Sequence, residues 1–199
     1  MKDVKLAIIY YSSTGTNYKL SKAAEEAAKD LGVKEIKFLR VEETVPEEIM
    51  KTNEDWIKHF NATKDVPVAS IDDLEWADAI IFSAPTRYGN LPSQFSSLMD
   101  STGPLWQKGK LVDKVVSGMT SAGNPHGGQE GTLLALYKSM MHWGAVIANP
   151  GYSDPVIFET GGNPYGFSTV GGSDLSDKDK QAIKAQVKRT VGIAAKIKA

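Results

Sequence analysis

The sequence predicts an α/β protein: a mostly parallel sheet with helices on both faces. Three observations predict it. Two short runs, Val4 to Tyr11 and Asp78 to Ala84, are apolar almost throughout, as in strands buried on both faces. Apolar stripes at helical spacing alternate with such runs along the chain, and polar, glycine-bearing loops follow three of the runs.

The elements follow in order. Val4 to Tyr11 reads as the first strand, and Leu20, Ala24, Ala27, Ala28 and Leu31 as the buried stripe of a helix that stops at Gly32. Val33 to Val41 reads as a second strand. The stretch from Glu42 to Leu74 carries Pro46, Pro67 and several acids, and reads as one short helix plus a surface excursion. Asp78 to Ala84 is the third strand, Leu91 to Met99 a helix and Lys114 to Met119 a fourth strand. Leu133, Leu136, Tyr137, Met140 and Met141 form an apolar stripe ending near Gly144, and Ala145 to Ala148 is the last core strand. Asn149 to Ser173, rich in Gly, Pro, Asn and Tyr, reads as a long loop. Ser176 and Asp179 form a capping pair for a final helix burying Ile183, Val187, Val191, Ala194 and Ile197.

Composition narrows the function. The 199 residues suggest one domain, 1–199, and Lys+Arg 23 against Asp+Glu 24 offers no electrostatic case for nucleic acid or an anionic membrane. With Cys 0, thiolate catalysis, disulfides and cysteine metal sites are excluded, and redox chemistry needs a cofactor. No His/Glu cluster has metal spacing, and no stretch reads as a signal peptide or membrane span, so a cytoplasmic protein is expected.

Ser12, Ser13, Thr14, Gly15, Thr16 and Asn17 place five hydroxyl or amide side chains and one glycine between a strand and a helix start. An ordinary helix cap needs only one of them. The surplus suits a phosphate cradle, with Gly15 for close approach and helix N–H groups as donors, and its neutrality suits a terminal monophosphate such as that of FMN. Neither a Walker loop nor a Gly-x-Gly-x-x-Gly fingerprint occurs. Pro85, Thr86, Arg87, Tyr88, Gly89 and Asn90 follow the third strand. Thr120, Ser121, Ala122, Gly123, Asn124, Pro125, His126, Gly127 and Gly128 follow the fourth. Each alone reads as a turn; beyond the carboxyl ends of one parallel sheet they converge on one ligand site. His142, beside Trp143, reads by chemistry alone as a helix-terminal histidine, and Trp56, Trp76 and Trp106 as core or interface residues.

These loops resemble the WrbA family of flavodoxin-like NAD(P)H:quinone oxidoreductases over nearly the whole chain. The most specific pieces are Pro85 to Asn90, Asp100 to Trp106, Gly127 to Glu130, and Gly162 to Gly166. The resemblance implies a flavodoxin-like three-layer sandwich with a five-stranded parallel sheet of order 2-1-3-4-5. It implies FMN as cofactor, with its phosphate at Ser12 to Asn17, Thr86, Arg87 and Tyr88 along the ring, and Thr120 to Gly127 around the other edge. It matches His142 to a histidine brought near the flavin across the subunit interface of a homotetramer, and Trp106 to an aromatic over the substrate cavity. His142 and Tyr88 are then the candidate proton or orientation partners. Thr14 stands where the family often has a Tyr for the nicotinamide nucleotide, and Asn124-Pro125-His126 departs from a plainer glycine-rich loop. The activity implied is ping-pong transfer of two electrons from NADH or NADPH through FMN to a quinone. A flavodoxin-type one-electron carrier and a flavin-binding regulatory protein are the other readings.

Overall fold

A computed structural model describes residues 3–199; Met1 and Lys2 of the expected 1–199 span lie outside the described residues. Along the chain, β1 (Lys5–Tyr10), α1 (Thr16–Asp30), β2 (Glu35–Arg40), α2 (Glu47–Met50), α3 (Glu54–Thr63), α4 (Ile71–Trp76), β3 (Ala79–Pro85) and α5 (Ser93–Asp100) follow one another. Then come α6 (Gly103–Gln107), β4 (Val115–Ala122), α7 (Gln129–Trp143), β5 (Val146–Ile147), α8 (Val156–Glu159), β6 (Ser168–Val170) and α9 (Asp177–Lys198).

The sheet is parallel throughout and runs β2-β1-β3-β4-β5, the expected order, with a sixth strand, β6, added against β4. Side chains alternate across it as a pleated strand requires. Leu6, Ile8, Ala79, Ile81, Val115 and Met119 pack beneath α1 and α9, while Ala7, Ile9, Ile80, Phe82 and Val116 pack beneath α4, α5 and α7. Burial on both faces is the physical reason β1 and β3 read as unbroken apolar runs.

The expected helix punctuation holds. Gly32 and Gly144 adopt positive φ of 79° and 75°, the left-handed conformation that ends a helix without a Cβ penalty. Ser176 and Asp179 form the reciprocal capping box of α9.

Four expectations are corrected. The Glu42 to Leu74 excursion holds three helices instead of one, and the third, α4, buries Leu74 against the sheet. The stretch Asn149 to Ser173 is not wholly loop, because α8 packs Val156 and Ile157 beside α9, and β6 extends the sheet to six strands. The strand around Ala145 to Ala148 contracts to Val146–Ile147. Met141 and Ile197, expected on buried stripes, are exposed, each standing in the last turn of its helix.

β5 and β6 share one edge of β4. Val115 and Val116 pair with β5, whereas Thr120, Ser121 and Ala122 pair with β6. The carboxyl end of β4 therefore keeps a covered edge, and the segment after β6 is delivered to the loops that follow the strands.

Candidate functional site

Loop one, between β1 and α1, is a tight turn. Gly15 takes φ 97° as the N-cap of α1, and its N–H donates to Ser12 Oγ at 3.0 Å. No side chain caps α1, and Lys19 donates back to Gly15 O at 3.0 Å to close the first helical turn. The N–H groups of Thr16, Asn17 and Tyr18 therefore point out of the helix end unsatisfied, where the dipole favours an anion.

Three of the five polar side chains serve the protein itself: Ser12, which accepts from Gly15 N, and Asn17 and Thr16. Asn17 is buried; its Nδ2 donates to Ser83 Oγ at 3.0 Å and its Oδ1 accepts from Ser121 Oγ at 2.6 Å. It thus ties the start of α1 to the ends of β3 and β4. Thr16 Oγ1 accepts from Gly172 N at 3.1 Å, holding the segment after β6. Ser13 and Thr14 keep their hydroxyls at the cavity.

Loop two is a two-residue hairpin. Arg87 N donates to Asn90 O at 2.8 Å and Asn90 N to Arg87 O at 2.9 Å, with φ 53° at Tyr88 and 75° at Gly89 between them. Positive φ at both central positions is the type I′ geometry. Tyr88 stands fully in solvent at the rim, in a conformation a bulky side chain rarely adopts. The hairpin is seated by Thr86 Oγ1, which accepts from Gly89 N at 3.1 Å and from Thr132 Oγ1 of α7 at 2.7 Å. Two glycines at the start of α7 also matter, because a Cβ on the N-cap Gly128 would stand 2.7 Å from Gly89 Cα and one on Gly131 3.0 Å from Gly89 O. Arg87 Nη2 donates to Ser13 Oγ at 3.3 Å, so loop two supplies the positive charge that loop one lacks.

Loop three closes on itself. Asn124 O accepts from Gly127 N at 3.1 Å and from Gln129 Nε2 at 3.0 Å, while Asn124 Oδ1 accepts from His126 N at 3.0 Å. The Asn124-Pro125-His126 departure is thereby a compact turn with His126 exposed.

The three loops form one cavity of about 170 Å³, lined by Ser12 to Thr14, Thr16, Asn17, Pro85 to Arg87 and Ser121 to Gly123. Gly171, carried in by β6 through its N–H to Ala122 O at 2.7 Å, completes the wall. Sequence reasoning missed Gly171; its only signal was the short Ser168–Val170 run inside a glycine-rich stretch. Unsatisfied helix N–H groups, neutral hydroxyls and one guanidinium fit a phosphate monoester. The volume suits a sugar-phosphate-sized group rather than a whole drug-sized ligand.

Other expected residues stand back from the cavity. Thr120 is buried inside β4 and donates to Ala84 O at 2.7 Å, so its hydroxyl braces the sheet. Gly127 packs where a Cβ would stand 2.4 Å from Ala122 Cβ, and Asn90 closes the hairpin. His142 lies at the far end of α7, thirteen residues after Gln129 and so about 20 Å along the helix from the cavity end. There Gly144 O accepts from Asp113 N at 3.1 Å, beside the amino end of β4. Trp106 joins His142, its Nε1 donating to His142 O at 3.0 Å, and is largely exposed. The fold thus brings His142 and Trp106 to each other, and neither to the cavity of its own chain. Among the described residues, no helix is long and apolar enough to cross a membrane.

Comparison with known proteins places this site in a family. Residues 4–154 match the model of the NADPH-dependent FMN reductase family. A Deinococcus radiodurans protein named NAD(P)H dehydrogenase (quinone) is 50% identical over 195 residues, covering 98% of this chain and 97% of its own. A Sinorhizobium fredii protein of the same name is 40% identical, covering 97% and 98%. Among solved structures, the WrbA-like flavodoxin of Agrobacterium tumefaciens superposes with a TM-score of 0.65 at 19% identity, covering 98% of this chain and 99% of its own. The flavoenzyme FerB, an NAD(P)H:(acceptor) oxidoreductase of Paracoccus denitrificans, gives 0.61 at 15%, covering 97% and 98%. Both share the flavodoxin-like fold, and the family supports FMN as the expected cofactor. The chain belongs to the NADPH-dependent FMN reductase family and groups there with the bacterial proteins named NAD(P)H dehydrogenase (quinone).

Proposed function

We propose that the chain is an FMN-dependent NAD(P)H:quinone oxidoreductase of the cytoplasm, reducing quinones to hydroquinones by a ping-pong scheme in which nucleotide and quinone use one cavity in turn. The observation that carries this is the convergence of three loops on a single cavity beside the uncapped amino end of α1. FMN, when bound, supplies the chemistry, taking two electrons from NAD(P)H and passing both to the quinone.

The chain's own residues bind and orient. The N–H groups of Thr16, Asn17 and Tyr18, with the hydroxyls of Ser13 and Thr14, hold the phosphate, and Arg87 offsets its charge. Pro85 to Asn90 and Ala122 to Gly127 border the ring from two sides, and the strained hairpin keeps Tyr88 at the rim to orient the reacting partner. Thr14 also stands on the nucleotide's path.

His142 and Trp106 take part from a neighbouring copy in a homotetramer. Trp106, Met141, Val112 and Leu134 expose large apolar side chains, three of them on or beside the His142 end of α7, which supports burial of that end against another subunit.

Anaerobic stopped-flow absorbance tests the reading. FMN-loaded protein mixed with NADH or NADPH should bleach rapidly at the flavin band, and benzoquinone should restore the band in one phase, with parallel double-reciprocal lines at steady state. An unbleached band, or intersecting lines, would overturn the scheme.

A further inference from the structure

The excursion between β2 and α4 brings a histidine to the back of the phosphate loop. His59, on α3, sets Nδ1 3.5 Å from the point where a Cβ on Gly15 would stand. Its ring meets that of Tyr18, in the first turn of α1, edge to face with centroids 5.5 Å apart. A second cavity of about 20 Å³ lies here, room for one water molecule, and it shares only Ser12 with the ligand cavity. Two buried polar atoms of residues on its wall, His59 Nε2 and Tyr10 Oη, have no hydrogen-bond partner. His59 therefore touches loop one from the side away from the ligand cavity.

Burial holds the imidazole below its ordinary pKa, so it is neutral at pH 7 in the empty protein. The charged groups around it are otherwise engaged. Arg40, from β2, donates to Val66 O at 3.1 Å, and the Glu43 carboxylate accepts from Tyr11, Trp56 and Gln94. The hydroxyls of Tyr10 and Tyr11, from β1 and its end, are raised by burial and stay protonated, and α1 contributes only Tyr18. An anion in loop one would add a negative charge on the far side of Gly15 from His59.

We propose that His59 is a positioning residue that reports on the phosphate: when a phosphate monoester enters loop one, His59 takes a proton from solvent, and the imidazolium then steadies the anion through the Gly15 wall. The proposal rests on the reading of the cavity as an FMN phosphate site. A dianion close by favours the charged imidazole, and shifts of this origin run to about one unit or more. A shift of one unit makes binding about tenfold tighter below the free-state pKa than above the loaded one, so affinity falls as pH rises through that window.

The test is an NMR titration of the His59 ring in the empty protein and in protein saturated with FMN, the signal being assigned by its loss in His59→Gln. The expected result is a rise of about one unit or more with FMN, and proton uptake by calorimetry in wild type that exceeds that of His59→Gln. An unchanged His59 pKa in protein carrying bound FMN overturns the proposal, as does equal proton uptake in the variant. If His59→Gln fails to fold, the wild-type titration, assigned through its shift on pH and its contact with Tyr18, decides alone. Wild-type protein that binds no FMN would overturn the cavity reading as well, a distinguishable failure.

Discussion

Asn17 Oδ1 accepts a hydrogen bond from Ser121 Oγ at 2.6 Å, joining residues 104 positions apart inside the site. Through this bond, and the one from Asn17 Nδ2 to Ser83 Oγ, the phosphate loop is held against the ends of β3 and β4. Asn17→Ala leaves the buried Ser121 hydroxyl without its acceptor and removes the side-chain donor to Ser83 Oγ, which keeps its bond to the Asn17 carbonyl. It should cost about 2–3 kcal/mol of stability by urea denaturation, and weaken FMN binding together with it. A variant as stable as wild type would show that the clamp is dispensable.

Tyr88 holds φ 53° with its side chain entirely in solvent. Tyr88→Gly relieves the left-handed strain and removes nothing that is packed. Stability should rise by up to about 1 kcal/mol in thermal unfolding while turnover with NAD(P)H and quinone falls. A destabilised variant would contradict the type I′ description of the hairpin.

Gly128→Ala places a Cβ 2.7 Å from Gly89 Cα, at φ 89°. The hairpin must shift, since the obstacle is backbone. The expected outcome is a loss of about 2 kcal/mol or more in stability and a weaker flavin complex in fluorescence titration. Unchanged FMN affinity would separate the seating of the hairpin from cofactor binding.

The end of α9 is tied down by Lys198, whose Nζ donates to Asp78 at 2.7 Å. Burial alone would raise the Asp78 carboxyl, but Lys198 and the Lys5 N–H outweigh it and hold the group below the ordinary carboxylate range. A depressed folded-state pKa means that the contribution is present above the unfolded value, near pH 4, and lost as pH falls through the folded one. Asp78→Asn should therefore be less stable than wild type at pH 7, the gap closing as pH falls below the ordinary carboxylate range. A gap constant with pH in denaturation midpoints would exclude the ion pair as its source.

How far the sequence could be read follows from where each signal resides. Continuous apolar runs such as Ala79 to Phe82 exist because both faces of the central strands are covered, and Gly32, Gly144 and Ser176 carry their conformational reasons in their own side chains. The placement of three polar loops beyond the strands was legible for the same reason. Asn17 was not, because its residue type suits a phosphate ligand and only the partners 66 and 104 positions away make it a clamp. α3 escaped reading since it buries little beyond Thr63, and His59 looked like surface until the fold set it against Gly15. β6 is three residues long, too short for any periodicity to register.

In the proposed function the cavity between the three loops takes the phosphate of FMN. Fluorescence titration of the purified, flavin-free protein with FMN and, separately, with riboflavin tests it most directly. The account predicts one FMN per chain, with riboflavin binding weaker by about a hundredfold or more, since the phosphate's charge-assisted hydrogen bonds are each worth roughly 1.5–3 kcal/mol. Equal affinity for the two flavins, or no saturable binding of FMN, would contradict it.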